Sequence, residues 1–235
     1  MLSSTMLAAP PTASRQTVLP PLDEGDRLTA TEFERRYAAM PELKKAELLD
    51  GIVYMASPVS HVSHGRPHIH LGGWLSVYQA ETPGVVPSDN ATVRLGPDDE
   101  IQPDALLLPS EERGGRARLD PAGFIEGPPA LVVEVASSST SYDLHTKKPI
   151  CEQYGVSEFV VCRTRDRAVD WFVLCSGRYE VLEADENGIY RSTVFPGLWL
   201  DPAALFAGDI AGVLAVLREG IASPEHAAFV AGGVQ

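Results

Sequence analysis

Two carboxylates stand where inert strands would carry apolar residues. Glu134 interrupts the run "ALVVEVA", and Asp104 leads directly into "ALLLP". Burying an unpaired ionised carboxylate costs on the order of several kcal/mol, so each must find a partner or protonate. If their strands are neighbours, the two groups converge at one sheet edge and repel unless they share a proton or a cation. A hard divalent ion such as Mg²⁺, held by one or two carboxylates with waters and phosphate, fits such a pair. Lys147 is the third candidate. Pro149 is not tolerated deep inside a helix, which predicts a helix over about 146–155 with Thr146 as cap and Pro149 in its first turn. Lys147 then lies at the positive end of the helix dipole, where cations are disfavoured. It either points into solvent or leans toward an anion, which the carboxylate pair or a bound phosphate would supply.

These residues need a frame. "TATEFERRYAAM" predicts a short helix over 29–40, and "AELLDGIVYMAS" predicts a hairpin turning at Asp50-Gly51. A helix is expected over 61–81, at least from Pro67 onward, followed by strands at "GVVPSDNATVRL" and "IQPDALLLP". A long Gly-, Pro- and charge-rich loop carrying Arg113, Arg116 and Arg118 separates these from the strand at 130–136. After the 146–155 helix come the strand "SEFVVCR", a meander with turns at Ser176-Gly177 and Asn187-Gly188, and a helix over about 209–219. The order predicts one α/β domain on a mixed sheet over residues 26–235, preceded by a poorly ordered tail over 1–25.

With 235 residues, 44% of them hydrophobic, the chain is long enough for a sizeable core. No apolar run is long enough to span a membrane, and the N-terminus does not read as a signal peptide. Cys151, Cys162 and Cys175 read as core thiols of a cytoplasmic protein. The net charge of −13 weighs against broad electrostatic binding to DNA or anionic membrane. It leaves room for nucleic acid at a local basic patch, or at a metal held by some of the carboxylates.

"PDALLL", "LVVEVASSSTSYDLHTKK" and "YGVSEFVV" together resemble the PD-(D/E)XK nuclease superfamily, and more closely its Uma-two branch of restriction-endonuclease-like proteins. The resemblance runs from about Glu47 to Val161. It implies that Glu47 of "ELLDG" joins an acidic cluster with Asp104 and Glu134, and that His64 of "SPVSHVSH" stands beside it, with His61 the runner-up. The superfamily's usual lysine position is Ala136 here. The branch carries its lysine on the next helix, four residues after an aspartate, which Asp143 and Lys147 match, with Lys148 the fallback. Ser138, Cys151 and Phe159-Val160 depart from the branch pattern, but these are packing changes that remove no proposed catalytic group.

The resemblance further implies a restriction-endonuclease-like core, a mixed sheet flanked by helices, with additional C-terminal strands. The activity it implies is phosphodiester hydrolysis in DNA assisted by Mg²⁺ or Mn²⁺. Asp104, Glu134 and the Val135 carbonyl would hold the ion, and Lys147 would orient water or stabilise the transition state. A catalytically silent binding or regulatory module on the same fold is the alternative, and the net charge favours it.

Blander explanations suit other features. His61, His64, His68 and His70 include an i, i+4 pair, but no cysteine or second acidic motif in the sequence completes a tetrahedral zinc set. The arginines of the 113–118 loop could touch phosphate backbone or simply be solvated. Trp74, Trp171 and Trp199 read as core or interface. The apolar meander and last helix make a homodimer plausible without showing one.

Overall fold

The alternating apolar and polar segments resolve into two six-stranded mixed sheets, described over residues 19–232 in a computed structural model. In chain order, helix α1 (Ala30–Ala38) precedes the hairpin β1 (Ala46–Leu49) and β2 (Ile52–Met55). A π-helical turn, His61–Gly65, runs into α2 (Arg66–Glu81). Then come β3 (Val85–Asp89), β4 (Val93–Gly96), β5 (Asp99–Ile101) and β6 (Ala105–Pro109), the short strands β7 (Arg118–Leu119) and β8 (Ile125–Glu126), and β9 (Leu131–Ala136). A helical run follows: α3 (Thr140–Tyr142), a second π-turn (Asp143–Lys147) and α4 (Lys148–Tyr154). The last third holds β10 (Glu158–Arg163), β11 (Ala168–Cys175), β12 (Arg178–Val181), β13 (Tyr190–Arg191), β14 (Trp199–Leu200), α5 (Pro202–Ala207), α6 (Ile210–Ile221) and α7 (Pro224–Gly232).

The central sheet has the order β12-β11-β10-β9-β6-β3, with β9 and β10 parallel and their other neighbours antiparallel. The second sheet runs β2-β1-β5-β4-β8-β7, and β13 with β14 makes a separate ribbon. Side-chain alternation divides the core. Val133, Val135, Val160 and Cys162 pack under α2, α5 and α6. Val132, Ala136, Phe159 and Val161 pack with α4 and the second sheet. The hairpin turns where Asp50-Gly51 predicts, with φ of 51° and 71° at its two corner residues. α6 begins at the expected place, and Asp209 caps it by accepting the N–H of Gly212.

Four expectations need correction. The meander stops at β12, because β13 pairs with β14 in the separate ribbon and not with β12. "GVVPSDNATVRL" divides into β3 and β4, which belong to different sheets. "IQPDALLLP" is not one strand. β5 and β6 belong to different sheets, and Asp104 lies just before β6 rather than inside it. Pro103 lacks a ladder donor and disfavours regular continuation of the residue before it, which breaks the run there. The helix expected from Thr146 starts six residues earlier, at Thr140. Thr146 is therefore no cap, and Lys147 lies inside the helical run rather than at its positive end. A π-turn, in which the N–H of Lys148 reaches back to the Asp143 carbonyl, accommodates Pro149 where a regular helix would not.

Most of the expected N-terminal tail, residues 1–18, lies outside the described residues. Leu22 is buried in a small cluster with Phe33, Leu48 and Val53. Among the described residues no helix is long and apolar enough to cross a membrane. The three cysteines are free, with Cys151 and Cys162 buried.

Candidate active site

Register explains why the two carboxylates meet. Ala105 of β6 lies opposite Val133 of β9, and continuing that antiparallel register by one residue sets Asp104 across from Glu134. Alternation turns Glu134 to the same side as Val132 and Ala136, away from α2. There the two groups line a cleft of about 730 Å³. The cleft opens toward the carboxyl end of the parallel pair β9 and β10, where ligand sites of open α/β sheets commonly form.

Glu134 is 3% exposed and accepts from Lys147 Nζ at 2.8 Å. Lys147, 1% exposed, also meets Glu47 Oε1 at 2.9 Å and stands 3.9 Å from Asp143 Oδ1. Glu47 is pinned on every side. Its Oε1 accepts the Gln102 N–H at 2.6 Å and its Oε2 the Tyr142 hydroxyl at 3.0 Å. Asp104 Oδ2 accepts the Val135 N–H at 2.8 Å, while its Oδ1 lies 3.1 Å from Lys45 Nζ and 3.7 Å from His64 Nε2. His64 Nδ1 contacts the Val135 carbonyl at 3.0 Å.

All five predicted side chains, Glu47, His64, Asp104, Glu134 and Lys147, line this cleft with Val135. The fallbacks do not. Lys148 lies over the Phe172 ring, and His61 is outside the lining. Lys45, Tyr142 and His68 belong to the cleft without having been foreseen there. Period-2 alternation would have found Lys45, because it shares a side with Glu47. His68 was legible as half of an i, i+4 pair, but its acidic neighbour, Asp104, is remote in sequence. The loop arginines serve the fold. Arg113 binds the carbonyls of Pro83, Phe229 and Val230, Arg116 that of Gly155, and Arg118 that of Gly115.

The electrostatics are unbalanced. Four buried carboxylates, Glu47, Asp104, Glu134 and Asp143, face two ammonium groups, Lys45 and Lys147. Burial pushes Glu134 up to about 8; Lys147 opposes the rise, and Asp104 and Asp143 add to it. Burial also raises Asp143, against the pull of Lys147. For Asp104, Lys45, His64 and the Val135 N–H together outweigh burial and hold it below its ordinary range. Burial works against the Lys147 charge, but Glu134 and Glu47 keep that ammonium well above its usual range. At neutral pH a proton on Glu134 meets part of this surplus. A hard divalent cation would displace it, because the Asp104 and Glu134 carboxylates with the Val135 carbonyl form an oxygen donor set that suits one.

The fold is of the mixed α/β class, with mixed sheets flanked by helices. A solved structure described as a "putative nuclease belonging to DUF820 from Anabaena variabilis" matches with a TM-score of 0.57 at 16% identity, over 74% of this chain and 97% of that one. A model of the Uma2 family, described as "Putative restriction endonuclease", matches residues 30–203, and the chain belongs to that family. No curated protein matches it.

Proposed function

We propose that the protein is a metal-dependent endonuclease that hydrolyses phosphodiester bonds in DNA. The observation that carries this reading is the convergence of the buried Asp104 and Glu134 carboxylates with the Val135 carbonyl on one cleft, within a cluster of four carboxylates and two ammonium groups. Asp104, Glu134 and the Val135 carbonyl would hold Mg²⁺, with Mn²⁺ as a substitute. When bound, the ion supplies Lewis acidity toward the phosphate and a water of lowered pKa. Lys147 opposes the protonation of Glu134 and holds Glu47 in place through its 2.9 Å contact. Tyr142 and the Gln102 N–H fix the other side of Glu47. Lys45, whose side chain is 24% exposed, is the ammonium that an incoming phosphate can reach.

The test is cleavage of single- and double-stranded DNA with Mg²⁺ or Mn²⁺ by wild type, Glu134→Ala and Lys147→Ala. Activity in wild type alone is expected. Equal activity in all three would point to contamination and sink the reading. The rival, a catalytically silent binding or regulatory module, is favoured by one contact: Lys45 already covers Asp104 Oδ1. It predicts no Mg²⁺ or Mn²⁺ binding at millimolar concentration.

A further inference from the structure

We propose that His64, His68 and Asp104 form a second cation position in the same cleft, and that it takes a transition-metal ion of the Zn²⁺, Co²⁺ or Ni²⁺ class rather than Mg²⁺. The proposal builds on the metal-dependent reading through the shared Asp104, and it concerns a different donor set. One donor atom from each of the three residues lies within 4.8 Å of the others. Ligand atoms around an ion with bonds of about 2.0–2.2 Å stand roughly 3 Å apart, so side-chain rotation suffices to close the set.

The helical frame brings the imidazoles together. His64 lies in the first π-turn and His68 in the first turn of α2, which puts them at i and i+4 on one face with ring centroids 5.4 Å apart. His64 is also held in a ligating pose. Its Nδ1 donates to the Val135 carbonyl at 3.0 Å, so in the neutral ring Nε2 carries the lone pair, 3.7 Å from Asp104 Oδ1. Two acceptors facing one another across such a gap call for a proton or a cation between them.

His68 Nε2 donates to the Asp104 carbonyl at 2.7 Å and also meets Asp89 Oδ1 at 2.5 Å, contacts that an ion bound to that nitrogen would replace. The Asp89 side chain is 71% exposed and free to turn onto the ion as a fourth ligand. Lys45 stands beside the Asp104 oxygen that the ion would use, but its partial exposure lets it withdraw to solvent. Occupancy is then a competition between a tethered ammonium and a metal. Imidazole favours the later transition metals, whereas Mg²⁺ keeps an oxygen shell.

Titration of the full chain with Co²⁺, followed through its visible ligand-field bands, tests the assignment in wild type, His68→Gln, His68→Ala and Glu134→Gln. Circular-dichroism melts show which variants are folded, and His68→Gln keeps a donor for the Asp104 carbonyl. The expected result is a loss of about tenfold or more in Co²⁺ affinity in the His68 variants. Glu134→Gln should stay near wild type, and excess Mg²⁺ should displace the Co²⁺ poorly. Unchanged Co²⁺ affinity in a folded His68 variant overturns the proposal. So does an equal loss in Glu134→Gln, which would assign the ion to the carboxylate pair. Neither outcome touches Mg²⁺-dependent DNA cleavage, which judges the nuclease reading by itself.

Discussion

Glu134 and Glu158 are buried glutamates on adjacent parallel strands of one sheet, and they solve the same problem differently. Glu158 opens β10 and turns toward the 192–194 turn, where four neutral donors meet it. They are the Ser192 hydroxyl at 2.7 Å, the Thr193 N–H at 2.8 Å, the Thr193 hydroxyl at 3.1 Å and the Val194 N–H at 3.1 Å. Glu134 lies near the other end of the strand pair, on the opposite face, and its partner is a single ammonium crowded by three further carboxylates. A glutamate wrapped in fixed neutral donors ties a turn to a sheet. One placed beside a cleft with its pKa raised to about 8 either keeps a proton or, on the proposed reading, exchanges it for a cation.

The sharpest way to break this contrast is Lys147→Met. It strips Glu134 and Glu47 of their shared cation and should destabilise the fold by roughly 3–5 kcal/mol at neutral pH, read by urea unfolding. Little or no loss would mean that the cluster is already protonated and the charge argument fails. Glu158→Ala comes next. It orphans the donors of the 192–194 turn and should cost on the order of 3 kcal/mol while leaving DNA cleavage by the folded protein intact.

Another buried glutamate, Glu100 on β5, sharpens the contrast with a smaller effect. Its Oε2 has no hydrogen-bond partner, and Arg94 Nε stands 3.6 Å away. Burial, then Glu34, pushes Glu100 up to about 7 from 4.5. The folded state therefore keeps a proton that the unfolded state has released, and stability should fall as pH rises from about 4.5 to 7. Glu100→Gln should flatten that slope and leave the protein about 1–2 kcal/mol more stable than wild type above pH 7. An unchanged pH profile would show that Glu100 ionises without penalty. The smallest stability change, within about 1 kcal/mol, is expected for Lys45→Met, because its ion pair is partly exposed. That variant should nonetheless bind Mg²⁺ more tightly by calorimetry, since the competing ammonium is gone.

The contrast was half legible in the sequence. Glu134 was conspicuous because it breaks an unbroken apolar run, and adjacency of the strands after Asp104 and through Glu134 was enough to make the pair converge. Glu158 sits at a strand boundary in "SEFVV" and shows nothing unusual, since its donors lie more than thirty residues away in the 192–194 turn. Lys147 was found through resemblance, but its setting was misplaced. A π-turn has no residue signature, and Pro149 looked like a helix start. The division of β5 from β6 between two sheets depends on the long-range pairing of β1 with β5, which local periodicity does not encode. Lys45 escaped for want of following the alternation one residue beyond β1.

The most direct test of the central claim is calorimetric titration of Mg²⁺ into wild type, Glu134→Gln and Glu158→Gln, each verified as folded. The account predicts that wild type and Glu158→Gln bind with similar affinity, while Glu134→Gln loses about tenfold or more, roughly 1.4 kcal/mol. Equal Mg²⁺ affinity in all three proteins, or no binding in any, would contradict it.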